Sequence, residues 1–248
     1  MALRVTTDML MLTCYEECFL RCYQALGGLW DQTLSDKGSE NLMFAFVCHH
    51  LHATAAFARG VLPAGRVPHR FVPSTRNRIE RMWAEVNLRV NLAMKLVLLT
   101  MERNGELDIG IAHHIGALQV LLPPVLQHAC DILVVSYNRA HHRSARGHGG
   151  RPDSLWQQFP PPAGSRLTIP PGYDAVAEYE QANNKTVEVR PRWVALRDPF
   201  FGQQNKQVQR LNMVMQMWGS VADAWHDIQH QGGRQLFIPS FRAFLQFQ

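Results

Sequence analysis

Apolar positions along this 248-residue chain recur mainly at intervals of three and four, the spacing of a helix face, and only briefly at intervals of two. The clearest pattern places Ile79, Met82, Trp83, Val86, Val90, Met94, Val97, Leu98 and Met101 on one side of a helix expected over residues 75–103, stopped by Asn104-Gly105. A helix is also expected over 7–26, with Thr6, Thr7 or Asp8 as its N-cap and Gly27-Gly28 as its stop. Another is expected over 40–59, with Met43, Phe46, Val47 and Leu51 on one face. A further helical block runs from 111 to about 141, where Pro123 and Pro124 bend it or split it in two. Later helices are expected over 173–184, 203–231 and 237–247, and Trp218, Val221, Ala222 and Trp225 form an apolar, core-facing stripe on the middle one. Strand signals are weak. One covers 29–35 and ends in the turn Ser35-Asp36-Lys37-Gly38, and a short edge strand fits within 66–72 between Gly- and Pro-marked turns.

The periodicity stops between 143 and 172, where Gly, Pro and Ser take over, with Pro160-Pro161-Pro162 and Pro170-Pro171-Gly172. That reads as a linker or surface strap. The expected organisation is a domain over 1–145, a linker over 146–172 and a helical extension over 173–248. Hydrophobic residues at 46% and charged residues at 18% exclude a charge-driven disordered chain. Lys95 interrupts the apolar run 92–101, and the two prolines interrupt 115–135, so neither reaches the roughly 18 uninterrupted apolar residues of a membrane span. Arg4 and Asp8 leave no room for the apolar stretch of a secretion signal. A soluble, intracellular chain with no membrane partner is expected.

Lys and Arg outnumber Asp and Glu by 25 to 20. That balance permits a polyanionic partner without demanding one. The excess is uneven: residues 59–89 hold seven Arg against two Glu, and 138–151 form a second basic stretch. Five cysteines are an odd number and argue against a disulfide framework. Cys14, Cys18 and Cys22 share a helix stripe, where thiols act as small apolar fillers. Cys48-His49-His50 and His52 have metal-ligand side chains at close spacing, but no paired Cys-x-x-Cys or His-x-x-x-His completes a tetrahedral zinc site.

Two carboxylates have settings suited to chemistry. Asp36 stands where a strand ends in a turn, and Glu80 stands in the first turn of the long helix beside Arg78 and Arg81. Carboxylates brought together from such places hold hard cations, with magnesium–oxygen distances of about 2.0–2.1 Å. Two ions about 3.5–4 Å apart clamp the attacking and leaving oxygens of a phosphodiester. Spacing alone equally allows Asp36 as a turn residue or helix cap and Glu80 as a favourable charge at a helix start.

The segment Ser35-Asp36-Lys37-Gly38-Ser39-Glu40-Asn41, followed by a helix and then Arg76-Asn77-Arg78-Ile79-Glu80-Arg81-Met82-Trp83, resembles the core of the integrase-like, DDE-type transposase domains carried in eukaryotic genomes. Tyr137-Asn138-Arg139-Ala140-His141-His142 and Arg151-Pro152-Asp153-Ser154-Leu155-Trp156 resemble that family's later segments, so the resemblance covers about residues 5–157. It implies a ribonuclease-H-like fold, a mixed five-stranded sheet with helices on both faces. It also implies cleavage and joining of DNA in the nucleus with Mg2+ or Mn2+ and an Asp, Asp, Glu triad. On this chain Asp36 would be the second carboxylate and Glu80 the third, both as metal ligands. Lys37, Arg76, Arg78 and Arg81 would face DNA, with Arg78 and Arg81 equally able to pair with Glu85 along the helix.

The chain departs from that pattern at its start. A helix is expected within about seven residues of Met1, so the family's first three strands and first Asp have no segment to occupy. Nor is the family's N-terminal zinc-binding module expected within these residues. The expected fold class is therefore α/β reduced to mostly α: a partial ribonuclease-H-like integrase core lacking its first strands, with a helical C-terminal extension. As given, an incomplete gene model or a transposon-derived relic, the chain is expected not to join DNA. The alternative is a non-enzymatic helical module that binds DNA or protein through its basic region. Apolar faces left uncovered would call for a homo-oligomer or a covering partner.

Overall fold

Most of the periodic stretches fold as the helices they predict. The computed structural model describes residues 5, 10–28, 32–59, 67–73, 80–140, 150, 154, 168–187, 199–200 and 202–247, leaving aside the side chains of 26, 55–59, 80 and 81. Helix α1 spans 11–26 and includes a π-helical stretch at Cys14–Leu20. Strand β1 (Thr33–Ser35) leads through a 3-10 turn (Ser39–Asn41) into α2 (Leu42–Arg59) and then β2 (His69–Phe71). Helix α3, described over 80–103, carries a π-helical turn at Asn87–Asn91. Then follow α4 (Ala112–Arg139), α5 (Ala175–Asn183), α6 (Gln204–Trp218), α7 (Val221–Gln231) and α8 (Phe237–Gln246). Among the described residues the molecule is mostly helical with a small two-stranded parallel sheet.

The chain divides into two compact units. The sheet unit comprises Asp8–Glu80 and Ser154–Val189. Its strands are parallel, with Thr33 opposite His69, Leu34 opposite Arg70 and Ser35 opposite Phe71. Parallel strands cannot be joined by a tight hairpin and need a crossover, which α2 provides. Its core gathers Tyr15 and Phe19 of α1, Met43, Val47 and Leu51 of α2, and Tyr179 of α5. Asp174 caps α5 by accepting the amides of Val176 and Ala177.

The helical unit comprises Met1–Thr7, Arg81–Asp153 and Arg190–Gln248. Its core joins residues of α3, α4, α6, α7 and α8, among them Met101, Leu121, Val125, Val214, Phe237 and Phe241, all fully buried. Met82, Val86, Val90, Met94, Val97 and Met101 of α3 are all buried, yet their spacing is mostly four. At about 100° per residue, the nineteen steps from Met82 to Met101 would leave the two roughly 100° out of line in a regular helix. The π turn absorbs one residue and brings them back onto one face.

Three expectations are corrected. The helix expected over 203–231 is two, α6 and α7. Gly219 adopts φ +71°, and Ser220 starts α7 by accepting the Asp223 amide at 3.1 Å and donating its hydroxyl to the Asp223 carboxylate at 2.6 Å. Of the two outcomes expected at Pro123 and Pro124, a bend or a split, the split is excluded, because α4 is one helix. It runs through Pro123 and Pro124, each lacking an N–H, because Leu121 and Val125 on either side are fully buried and hold the segment. Unbroken, α4 is long and apolar enough by length and composition to cross a membrane, although the prolines had argued otherwise; its buried stripe forms part of this unit's core. The strand expected over 29–35 is shorter, Thr33–Ser35, with 29–31 outside the described residues. The caps Thr6, Thr7 and Asp8, the start of the helix expected from 75, and most of the 143–172 linker also lie outside them.

The five cysteines are thiols. Cys14, Cys18 and Cys22 are half-buried and Cys48 and Cys130 buried. Trp218 and Trp225 are core residues, 2% and 4% exposed.

Candidate functional site

Asp36 is the first residue after β1, half-buried, at the point where the chain leaves the sheet and turns into α2. Its Oδ1 accepts the Asn41 side-chain amide at 2.9 Å and the Gly38 backbone N–H at 3.4 Å. The Asn41 N–H in turn bonds the Gly38 carbonyl at 3.1 Å. Asp, Gly and Asn of the Ser-Asp-Lys-Gly-Ser-Glu-Asn segment thus close one small ring. An Asp side chain that accepts amides a few residues ahead fixes a turn, as this residue type favours. The Glu40 carboxylate folds back over Gly38, where a side chain would meet it. Lys37 projects to solvent from the tip of the turn.

Behind Asp36 lies a chain of buried hydrogen bonds. In the parallel register Thr33, Ser35 and His69 lie on the same face of the sheet, 9%, 7% and 2% exposed. The Ser35 hydroxyl donates to the Asp36 carbonyl at 2.9 Å, which uses its single proton. His69 Nε2, 3.1 Å from Ser35 Oγ, must then carry a hydrogen and donate it. Nδ1 lies 2.8 Å from the Thr33 hydroxyl, whose single proton can go there, to the Pro68 carbonyl at 3.2 Å or to Cys48 Sγ at 3.5 Å. With Nε2 carrying the hydrogen, His69 is a neutral imidazole when the Thr33 hydroxyl donates to Nδ1. Burial, and then the neighbouring charge of His49, pull its pKa below the ordinary 6.5, in keeping with that state. Cys48 Sγ sits 3.5 Å from the Thr33 hydroxyl, and burial pushes its thiol up to about 11. The rings of Phe44 and Phe71 pack edge-on against His69.

The other expected site residues are placed less fully. The described part of α3 begins at Glu80, whose side chain lies outside the described residues, as does that of Arg81. Arg76 and Arg78 lie outside them entirely. Glu85, offered as a partner for Arg78 or Arg81, is paired with Arg89 one turn on at 2.7 Å. Among the described residues no three His, Cys, Asp or Glu converge as metal ligands. Asp36 supplies one carboxylate, and one of its oxygens already accepts two hydrogen bonds. The described donor set therefore does not fit a two-ion centre.

Sequence reasoning missed His69, Ser35 and Asn41 as the supports of Asp36. Asn41 was visible as the last residue of the Ser-Asp-Lys-Gly-Ser-Glu-Asn segment, at the right distance to reach back. His69 lay inside the strand expected over 66–72, but a three-residue strand shows no period that could reveal which face it occupies.

The family model described as an integrase core domain matches residues 3–159. No curated protein and no solved structure matches the chain.

Proposed function

The chain belongs to the integrase core domain family, and from that premise we propose that it is a transposon-derived, integrase-type nucleic-acid-processing domain that binds DNA in the nucleus. Integrase core domains typically bind DNA and generally use divalent metals. The observation that carries the reading is the Asp36 turn. Inside the matched span, a carboxylate at a strand end is fixed by Asn41 and backed by the Ser35–His69 chain. Asp36 and Glu80 are the proposed acidic pair for Mg2+ or Mn2+, and Lys37, Arg76, Arg78 and Arg81 the proposed phosphate contacts. Two carboxylates grip a hard cation less firmly than three and leave one of two ions without its bridging ligand. These 248 residues are therefore proposed to bind DNA without joining it.

The test combines a salt titration of duplex binding with a Mn2+-dependent nicking assay on the full chain. Binding should weaken with salt at a slope of about −0.9 per phosphate neutralised. Mn2+ binding should fall in Asp36→Ala with Glu80→Ala, with no nicked product from either protein. Nicking by the unaltered chain that vanishes in Asp36→Asn would replace this reading with a competent enzyme. Salt-steep DNA binding indifferent to both substitutions, with no Mn2+ bound, would leave a non-enzymatic binding module.

A further inference from the structure

On the helical unit, α3, α4 and α7 enclose an open groove of about 670 Å³. Along one wall Leu88, Leu92 and Leu96 of α3 stand about a helical turn apart, 65%, 45% and 57% exposed. Ile132 of α4, 47% exposed, lines it too. Single surface leucines are ordinary, but a contiguous row of them beside a groove marks an interaction face. Trp225 and Ile228 of α7 are buried beneath it. Leu88 also belongs to the π turn at Asn87–Asn91, and such turns recur at functional sites.

The polar lining has one sign. Arg89, Arg234 and His230 are exposed around the groove, and no Asp or Glu is among the described residues that line it. The nearby Glu85 faces Arg89 in an exposed pair, which reduces this charge without reversing it. A second copy of a chain with formal charge +5 would set one cationic rim against another, and like charges brought together oppose docking. Nucleic acid would find cations at the rim, but the exposed side chains between them are aliphatic and offer no ring on which a base could stack.

We propose that this groove binds an acidic amphipathic helix of a partner protein. Its apolar side chains, at i, i+4 and i+7, lie against Leu88, Leu92 and Leu96. Its flanking carboxylates meet Arg89, Arg234 and His230. The site is separate from Asp36 and does not depend on the DNA-binding reading.

The test uses two fluorescent helical peptides with the same leucine stripe, one flanked by Glu and one by Lys, titrated against the full 248-residue chain by anisotropy. The Glu peptide should bind about tenfold tighter than the Lys peptide or better. Leu96→Glu should weaken the Glu peptide by about tenfold while leaving the circular dichroism spectrum unchanged, since Leu96 faces water. Arg89→Glu with Arg234→Glu should reverse the preference between the peptides. Equal binding of both peptides, tighter binding of the Lys peptide, no saturable binding of either, or indifference to Leu96→Glu would each overturn the proposal. A dimer in sedimentation that Leu96→Glu dissolves would also overturn it, by giving the groove to a second copy.

Discussion

The helical unit gathers twenty-two buried apolar residues into one cluster, while the sheet unit gathers nine, counted among the described residues. Beside its smaller cluster the sheet unit buries Thr33, Ser35 and His69, at strand positions where Val or Ile would be usual. Apolar burial is non-directional, so a side chain can shift and still contribute. A buried hydroxyl or imidazole has no such latitude, because each donor must find its acceptor or lose the whole interaction. The first unit is therefore robust in detail, and the second holds one backbone carbonyl, that of Asp36, in one place. That difference suits a scaffold on one side and a positioned carboxylate on the other.

The sharpest way to break this contrast is to attack the helical unit where it too depends on directed bonds. Asp227 is 3% exposed and accepts the backbone N–H groups of Gln235, Leu236 and Phe237 at 3.1, 2.8 and 3.0 Å, anchoring the start of α8. Asp227→Ala strands three donors and should destabilise by about 3–5 kcal/mol in urea unfolding. In the sheet unit, His69→Leu removes one partner from each of two buried hydroxyls, leaving Ser35 the Asp36 carbonyl and Thr33 the Pro68 carbonyl, and should cost about 1–3 kcal/mol. Adding Thr33→Val and Ser35→Ala to His69→Leu should recover part of that loss, because the two hydroxyls go with it. If the triple variant is worse than the single, burial volume rather than hydrogen bonding holds the sheet.

Acid gives a gentler probe of the same chain. His69 takes up its proton near 6.5 when unfolded and at lower pH when folded, so the unfolded chain binds more protons between those values. Its contribution is complete above 6.5 and declines as pH falls toward the folded pKa. Urea midpoints across that window should fall more steeply for the native chain than for His69→Leu, and parallel curves would remove His69 from the account. The smallest effect is expected at Arg89→Ala, whose pair with Glu85 is exposed on both sides and should contribute less than about 1 kcal/mol.

The helices of both units were legible because a buried stripe repeats in the sequence whatever it packs against. Even the π turn left a trace, since Met82, Val86, Val90 and Met94 follow one another at fours where a regular helix would mix threes and fours. The break at Gly219 was legible too, as Gly followed by Ser with an Asp three residues on, but the apolar stripe from Trp218 to Trp225 masked it. The prolines of α4 misled in the other direction, because tertiary packing outweighs the loss of two N–H donors. At the candidate site, Asp36 was found through its motif rather than any period. Its carboxylate is held locally, by Gly38 and Asn41, but the bond behind it joins residues 34 apart in the chain, Ser35 to His69, and only the strand register makes them neighbours.

The π turn of α3 also bears on how such a chain can change over time. One residue added to an α-helix swings everything beyond it by about 100° and would carry a buried stripe out to water. A wide turn takes up the extra residue locally, so Val86 before it and Met94, Val97 and Met101 after it still share a core. Deleting one residue within Asn87–Asn91 should therefore turn the wide turn into regular helix and leave the buried stripe on one face.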